Sequence, residues 1–141
     1  MPRAELFLDS AYAIALSSPK DEYHKQAAIL AEQIERQQMR LITTRAVVLE
    51  IGDALARSNY RREAIKLLSS FEKDIDFIQI VPISERLYER GFQLYRSRQD
   101  KEWGITDCIS FVVMWERGLT KALTTDRHFQ QAGFQALLRE I

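Results

Sequence analysis

The chain has 141 residues, of which 46% are apolar and 28% are charged, a composition that argues against intrinsic disorder and indicates one globular domain over residues 1–141. Lysine plus arginine equals aspartate plus glutamate, at 20 each, so the chain lacks the strong positive charge typical of a basic nucleic-acid binder. A basic patch beside an acidic pocket remains compatible with that balance.

Export and membrane insertion are not expected. Apolar runs such as residues 11–16 are far too short to cross a bilayer, and the first ten residues, MPRAELFLDS, have no apolar segment of the kind that secretory signals carry. The single cysteine, Cys108, permits no disulfide within the chain. We therefore expect a cytoplasmic protein.

The first half of the chain predicts short strands separated by pairs of helices. Apolar runs that end at polar residues indicate the strands, and apolar residues at helical spacing indicate the helices, with Thr44 as a helix cap. In chain order these elements are a strand over 5–9, helices over 10–16 and 21–38, a strand over 41–43, and helices over 44–58 and 62–72 with a break at 59–60.

The second half continues the alternation. Pro82 ends a clear strand, and Gly118 ends a long apolar helix that we expect to be buried. In chain order these elements are a strand over 76–81, a helix from 84 to about 95, a loop over 99–105, a helix over 106–117, a strand over 119–125, a short helix over 126–131, and a last strand that begins near 133–135. Strands that alternate with helices predict a three-layer α/β/α domain, in which a central parallel sheet of about five strands is covered by helices on both faces.

Acidic residues occur at corresponding places in this pattern. Asp9 and Asp126 follow predicted strands, and Asp107 lies in the first turn of the apolar helix. Ligands of open parallel sheets bind outside the carboxyl ends of the strands, so we expect these side chains to meet at one edge. Glu50 lies inside a helix, among small and apolar neighbours, and faces the same edge in our interpretation.

Each acid also has an ordinary explanation. The three aspartates fit helix capping, and Glu50 fits a partly exposed residue near Arg57. The set as a whole favours a different interpretation, because clustered carboxylates raise one another's pKa values unless a cation neutralises them. Oxygen-only ligands favour Mg²⁺ or Mn²⁺.

The segments LFLDSAYAIAL, VVLEIGDAL, TDCISFVVM and ALTTDRHFQQAGF resemble, in order and over nearly the whole chain, the acidic motifs of the PIN-domain family. The chain is similar to the short bacterial and archaeal members, many of which are VapC-type toxins of toxin–antitoxin pairs. The stretch DKEWGITDCISF resembles a variant in which a tryptophan-bearing loop precedes the third acid.

The resemblance implies a Mg²⁺- or Mn²⁺-dependent endoribonuclease, with Asp9, Glu50, Asp107 and Asp126 as catalytic and metal-binding residues. It further implies an RNA substrate, a homodimer, and a small antitoxin partner whose basic residue enters the acidic site.

Other residues near the acids carry weaker hypotheses. Ser10 and Thr125 flank two of the acids, where they orient a ligand or simply cap helices. Arg45 is a candidate phosphate contact and Lys101 a candidate substrate contact, although such charged residues more often form only a solvated surface. Trp103 has the chemistry to stack on a base, although we favour a place in the core.

Rival sites are less well supported. Cys108 lies on the apolar helix, where a free cysteine behaves as a small buried apolar residue. The two histidines, His24 and His128, lack a metal-ligand spacing, and a surface imidazole is the favoured reading of His128.

Two other functions stay open at this level. One is a PIN-like module that binds RNA or protein without cutting. The other is a receiver-like phosphoacceptor, which fits poorly because the first strand lacks an adjacent pair of acids.

Overall fold

The computed structural model describes residues 3–140, apart from the side chain of Ser58. Residues 1, 2 and 141 of the predicted domain lie outside this range. In chain order the elements are β1 (Glu5–Leu8), α1 (Ser10–Ser17), α2 (His24–Gln37), β2 (Arg40–Thr44), α3 (Arg45–Ala54), α4 (Ser58–Lys73), β3 (Ile78–Val81), α5 (Glu85–Ser97), α6 (Ile105–Arg117), β4 (Lys121–Leu123), α7 (Arg127–Gln131), β5 (Gln135–Ala136) and a 3₁₀ turn (Leu137–Arg139).

The described strands form one parallel sheet of five strands in the order β3-β2-β1-β4-β5. The central strand, β1, aligns Phe7 with Ile42 of β2 on one side and with Ala122 of β4 on the other. Right-handed crossovers place α1 to α4 on one face of the sheet and α5 to α7 on the other. The predicted α/β/α class and the strand number are confirmed.

The order of the strands reverses beside β1. The chain moves outward from β1 through β2 to β3, and then returns to place β4 on the opposite side of β1. Such a switch point leaves a crevice outside the carboxyl ends of the two strands, because their following helices lie on opposite faces of the sheet. The residues that come directly after β1 and β4 therefore line one crevice.

The long apolar helix α6 is buried, as predicted. Phe111 lies at the centre of an aromatic cluster, with ring centroids 5.0 Å from Trp103 and 4.9 Å from Phe129, both edge-on. Helix α5 packs closely on α6 because Gly91 has no side chain, and a Cβ there would lie 2.6 Å from Cγ1 of Ile109. Gly118 ends α6 with φ of 68°, in the left-handed region that glycine tolerates.

Several predicted boundaries are wrong. Helix α3 ends at Ala54, and α4 already begins at Ser58, so the break lies at residues 55–57 and not at 59–60. Leu55 is buried at the turn, and this tertiary contact fixes the break where the local sequence shows no glycine or proline. Strand β4 is also shorter than predicted, because its neighbour β5 pairs over only two residues, Gln135 and Ala136.

Candidate metal centre

The crevice beyond β1 and β4 holds the four acids singled out in the sequence: Asp9, Glu50, Asp107 and Asp126. We call this set the acidic rim. Asp9 follows β1 directly, and its carboxylate interacts electrostatically with Glu50 and Asp107. Asp126 precedes α7, and its charge acts on both Glu50 and Asp107. The four acids therefore lie close together, as predicted.

Helix capping accounts for only part of this arrangement. Asp107 accepts a hydrogen bond from the Gly104 amide at 3.1 Å, and Asp126 accepts one from the His128 amide at 2.9 Å, as caps do. Asp9 stands at the start of α1 without capping it through its side chain. Its Oδ2 instead accepts a hydrogen bond from the Thr124 hydroxyl at 2.7 Å.

The rim is electrostatically costly without a cation. Burial raises the pKa of Asp9 to about 7, the Thr124 hydrogen bond opposes this, and the charges of Glu50 and Asp107 add to it. Burial also raises the pKa of Asp107, followed by the charge of Asp126. The pKa of Glu50 is raised for the same reasons, burial first, while a hydrogen bond with Ser10 opposes the rise.

Within residues 3–140, lysine and arginine side chains do not offset these charges. Across residues 3–140, no lysine or arginine forms an ion pair with a rim acid, and His128 is the one basic residue there whose side-chain nitrogen lies within 4 Å of a rim carboxylate. A group of carboxylates that shares one crevice without cationic side chains fits a hard divalent cation, whose preferred ligands are carboxylate oxygens.

Thr124 was not among the residues predicted from the sequence. This buried residue follows β4, and its Oγ1 donates to Asp9 while accepting the backbone amide of Asp126 at 3.0 Å. It thereby links the two acids across the switch point. The sequence signal for Thr124 is a hydroxyl residue two positions before an acid, whereas the prediction named its neighbour Thr125.

His128 is more than the surface imidazole that we favoured. Its Nδ1 lies 2.9 Å from Oδ2 of Asp107 and 3.3 Å from Oδ1 of Asp126. The side chain is only 30% exposed. The fold brings this residue to the rim because α7 begins at the end of β4 and is anchored by the buried ring of Phe129.

The other predicted contact residues have different outcomes. Ser10 adjoins Glu50. Thr125 is half-buried, and its carbonyl accepts a hydrogen bond from Arg139 at 2.9 Å. Arg45 forms an ion pair with Glu72 at 2.8 Å, and Lys101 is half-buried in the loop before α6. Contact of any of these residues with RNA stays a prediction.

Trp103 does not fit a base-stacking role. Its side chain is 4% exposed, its Nε1 donates to Gln131 at 2.9 Å, and its ring packs on Phe111. The predicted place of Trp103 in the core is therefore confirmed. The alternative, substrate contact by Trp103, is wrong because a nucleotide has no access to the ring. Cys108 is likewise fully buried, and burial raises its pKa to about 11, which disfavours the nucleophilic thiolate.

Comparison with known proteins identifies the family. The PIN domain family matches residues 6–135, which includes all four rim acids. The chain belongs to the PIN-domain family. Among curated proteins, no sequence matches it.

A solved structure supports the same fold for this PIN domain. The crystal structure of Mycobacterium tuberculosis VapC20, described as a toxin that cleaves the sarcin–ricin loop, superposes with a TM-score of 0.80. The match covers 93% of this chain and 97% of VapC20, at 21% sequence identity.

Among residues 3–140 of this PIN domain, no helix is long and apolar enough to cross a membrane.

Proposed function

We propose that this PIN-domain protein is an endoribonuclease that hydrolyses RNA phosphodiester bonds with Mg²⁺ or Mn²⁺. The observation that carries the proposal is the acidic rim, a set of four carboxylates from distant parts of the chain in one crevice. Its raised pKa values and its lack of lysine or arginine partners in residues 3–140 leave a deficit of positive charge that a divalent cation would fill.

In this proposal Asp9 and Asp107 hold the cation, and Glu50 and Asp126 bind it directly or through water. A cation bound there supplies Lewis-acid chemistry, since it lowers the pKa of water and stabilises the charge that develops on the phosphate. Thr124 fixes the Asp9 carboxylate through its 2.7 Å hydrogen bond, so that a lone pair of Asp9 keeps one direction. The Gly104 amide does the same for Asp107.

The rim is open enough for a polymer substrate. Asp9 is 5% exposed, while Glu50, Asp107 and Asp126 are half-buried. An RNA phosphate therefore has access to the carboxylates from outside, without entering the core. Once a cation neutralises the rim, its field attracts phosphate where the bare carboxylates repel it.

The test is cleavage of labelled RNA by the purified protein. We expect cleavage with Mg²⁺ or Mn²⁺, none in excess chelator, and loss of cleavage in Asp9→Asn and Asp107→Asn. Asp53→Asn is the matched control, since Asp53 is an exposed aspartate on α3 outside the rim. If the two rim variants cut as fast as the parent protein, the rim is not the active site. RNA binding without cleavage in every condition would favour the non-catalytic binding module.

We further propose that the protein is a toxin of a type II toxin–antitoxin pair that acts in the cytoplasm as a homodimer. The fold shared with VapC20 supports this. An antitoxin that places a basic residue in the acidic rim would supply the missing positive charge. We expect expression of the parent protein, but not of Asp9→Asn, to arrest growth, and a small protein encoded nearby to relieve the arrest. Growth without arrest would contradict the toxin role. A monomer in gel filtration at high concentration would contradict the homodimer.

A further inference from the structure

His128 has a position that hydrogen bonding to one acid does not fully explain. A single ring nitrogen, Nδ1, faces two rim carboxylates at once, at 2.9 Å from Asp107 and 3.3 Å from Asp126. One ligand atom from each of the three residues falls within 4.8 Å of the others. These separations match a coordination shell, because neighbouring ligands lie roughly 3 Å apart around an octahedral ion bound at about 2.1 Å.

The backbone holds this triplet in place. His128 and Asp126 form one unit, since the His128 amide donates to Oδ1 of Asp126 at 2.9 Å. Phe129, the next residue, is fully buried and packs edge-on against Phe111 of α6, the helix that carries Asp107. These contacts therefore fix the backbone of His128 beside both acids.

The triplet is accessible to an ion from solution. The side chains of Asp107, Asp126 and His128 are 15%, 30% and 30% exposed. Both carboxylates belong to the acidic rim, so the histidine adds a nitrogen to a site whose other ligands are oxygens.

We propose that His128 is a direct ligand of the rim cation through Nδ1, and that this nitrogen makes the site select Mn²⁺ over Mg²⁺. The inference rests on the proposed metal-dependent function and adds the identity of a ligand and of the ion. Imidazole binds first-row transition metals well, whereas Mg²⁺ strongly prefers oxygen. An imidazole that only orients Asp107 would give no such selectivity.

The chain offers a sharp test, because it contains only two histidines. The other, His24, lies on α2, where its Nδ1 is engaged with the Ala15 carbonyl at 2.8 Å. Pulsed electron paramagnetic resonance of bound Mn²⁺ detects ¹⁴N of a coordinated imidazole. We expect this signal in the parent protein and in His24→Asn, and its loss in His128→Asn.

Affinities measured by calorimetry complete the test. An asparagine at position 128 keeps an N–H group near the place of Nδ1, so it preserves a purely orienting hydrogen bond to Asp107. We expect His128→Asn to lose about tenfold or more in Mn²⁺ affinity, with Mg²⁺ affinity changed by less than about threefold. His24→Asn should leave both affinities unchanged, and circular dichroism should show that all variants are folded.

The outcomes separate the two proposals. Tight Mn²⁺ binding without imidazole nitrogen coupling, or a His128→Asn variant with the affinities of the parent protein, overturns the ligand role of His128 and leaves the carboxylate site intact. Absence of any Mn²⁺ binding by the parent protein overturns the metal-dependent function together with this inference.

Discussion

Two groups of acids in this protein have different partners. On the surface, Glu116 of α6 forms ion pairs with Arg86 and Arg90 at 3.1 and 2.8 Å, and Asp100 forms one with Arg98 at 3.0 Å. At the rim, the carboxylates meet one another, a hydroxyl, backbone amides and one imidazole.

The pKa values follow this division. The Arg98 hydrogen bond lowers the pKa of Asp100 to about 2, whereas burial raises the pKa of Asp9 to about 7. The charges of these surface acids are thus balanced by arginines in the folded chain, and the charges of the rim acids are not. Charge left unbalanced at one crevice costs stability, and the binding of a cation recovers it.

The largest expected difference between the two groups is in RNA cleavage. Glu50→Gln should reduce the rate by about 10²–10³-fold, because the rim loses a negative charge that acts on the cation and the transition state. Glu116→Gln makes the same chemical change on the surface and should stay within about twofold of the parent protein. Rates under single-turnover conditions with saturating Mn²⁺ decide this. Equal losses in both variants would remove the distinction between the groups.

The next effect concerns stability and pH in the absence of metal. Because the pKa of Asp9 is about 7 in the folded state, against 3.8 as its ordinary value, the folded protein keeps a proton that the unfolded chain loses. The free energy of unfolding should therefore fall as the pH rises from about 4 to about 7, and then level off. Asp9→Asn removes this ionisation and should be more stable than the parent protein at pH 8, by up to about 4 kcal/mol, at roughly 1.4 kcal/mol for each unit of the pKa shift.

Urea unfolding in chelator at several pH values measures this effect. With saturating Mn²⁺ the order should reverse, since the parent protein gains binding energy that the variant lacks. An Asp9→Asn variant that is less stable than the parent protein at pH 8 in chelator would show that the ionised Asp9 carboxylate does not destabilise the fold.

A smaller effect is expected from the link between the two strands of the switch point. Thr124→Val keeps the shape of the side chain and removes both the donor to Asp9 and the acceptor of the Asp126 amide. It should cost about 1–2 kcal/mol of unfolding free energy. Thr125→Val, one residue along, should change this free energy by less than about 0.5 kcal/mol, because its side chain is half-buried outside this link. Equal losses of unfolding free energy in the two variants, measured by thermal or urea unfolding, would mean that the hydrogen bonds of Thr124 do not stabilise the fold.

The smallest effect should come from the surface pairs. Arg90→Gln removes one of the two arginines of Glu116, and side chains of both residues are partly exposed, at 50% and 32%. It should cost less than about 1 kcal/mol, and the cost should shrink further in high salt. Urea unfolding at two salt concentrations tests this, and a large salt-independent loss would mean that the surface pair is structural.

Much of this protein was readable from the amino-acid sequence. Strand and helix alternation predicted the parallel sheet, and the apolar segment around Phe111 predicted the buried helix, because hydrophobic periodicity is a local property. Acids directly after predicted strands indicated Asp9 and Asp126 as partners, since the carboxyl ends of parallel strands share an edge.

Tertiary structure alone decided the rest. The break between α3 and α4 depends on the burial of Leu55. The role of Thr124 depends on the adjacency of β1 and β4. The position of His128 depends on the anchoring of α7 by Phe129. These are contacts between residues that are distant along the chain. Local sequence sets the propensity of each segment, but the pKa of a carboxylate and the partners of a hydroxyl depend on what the fold packs against them.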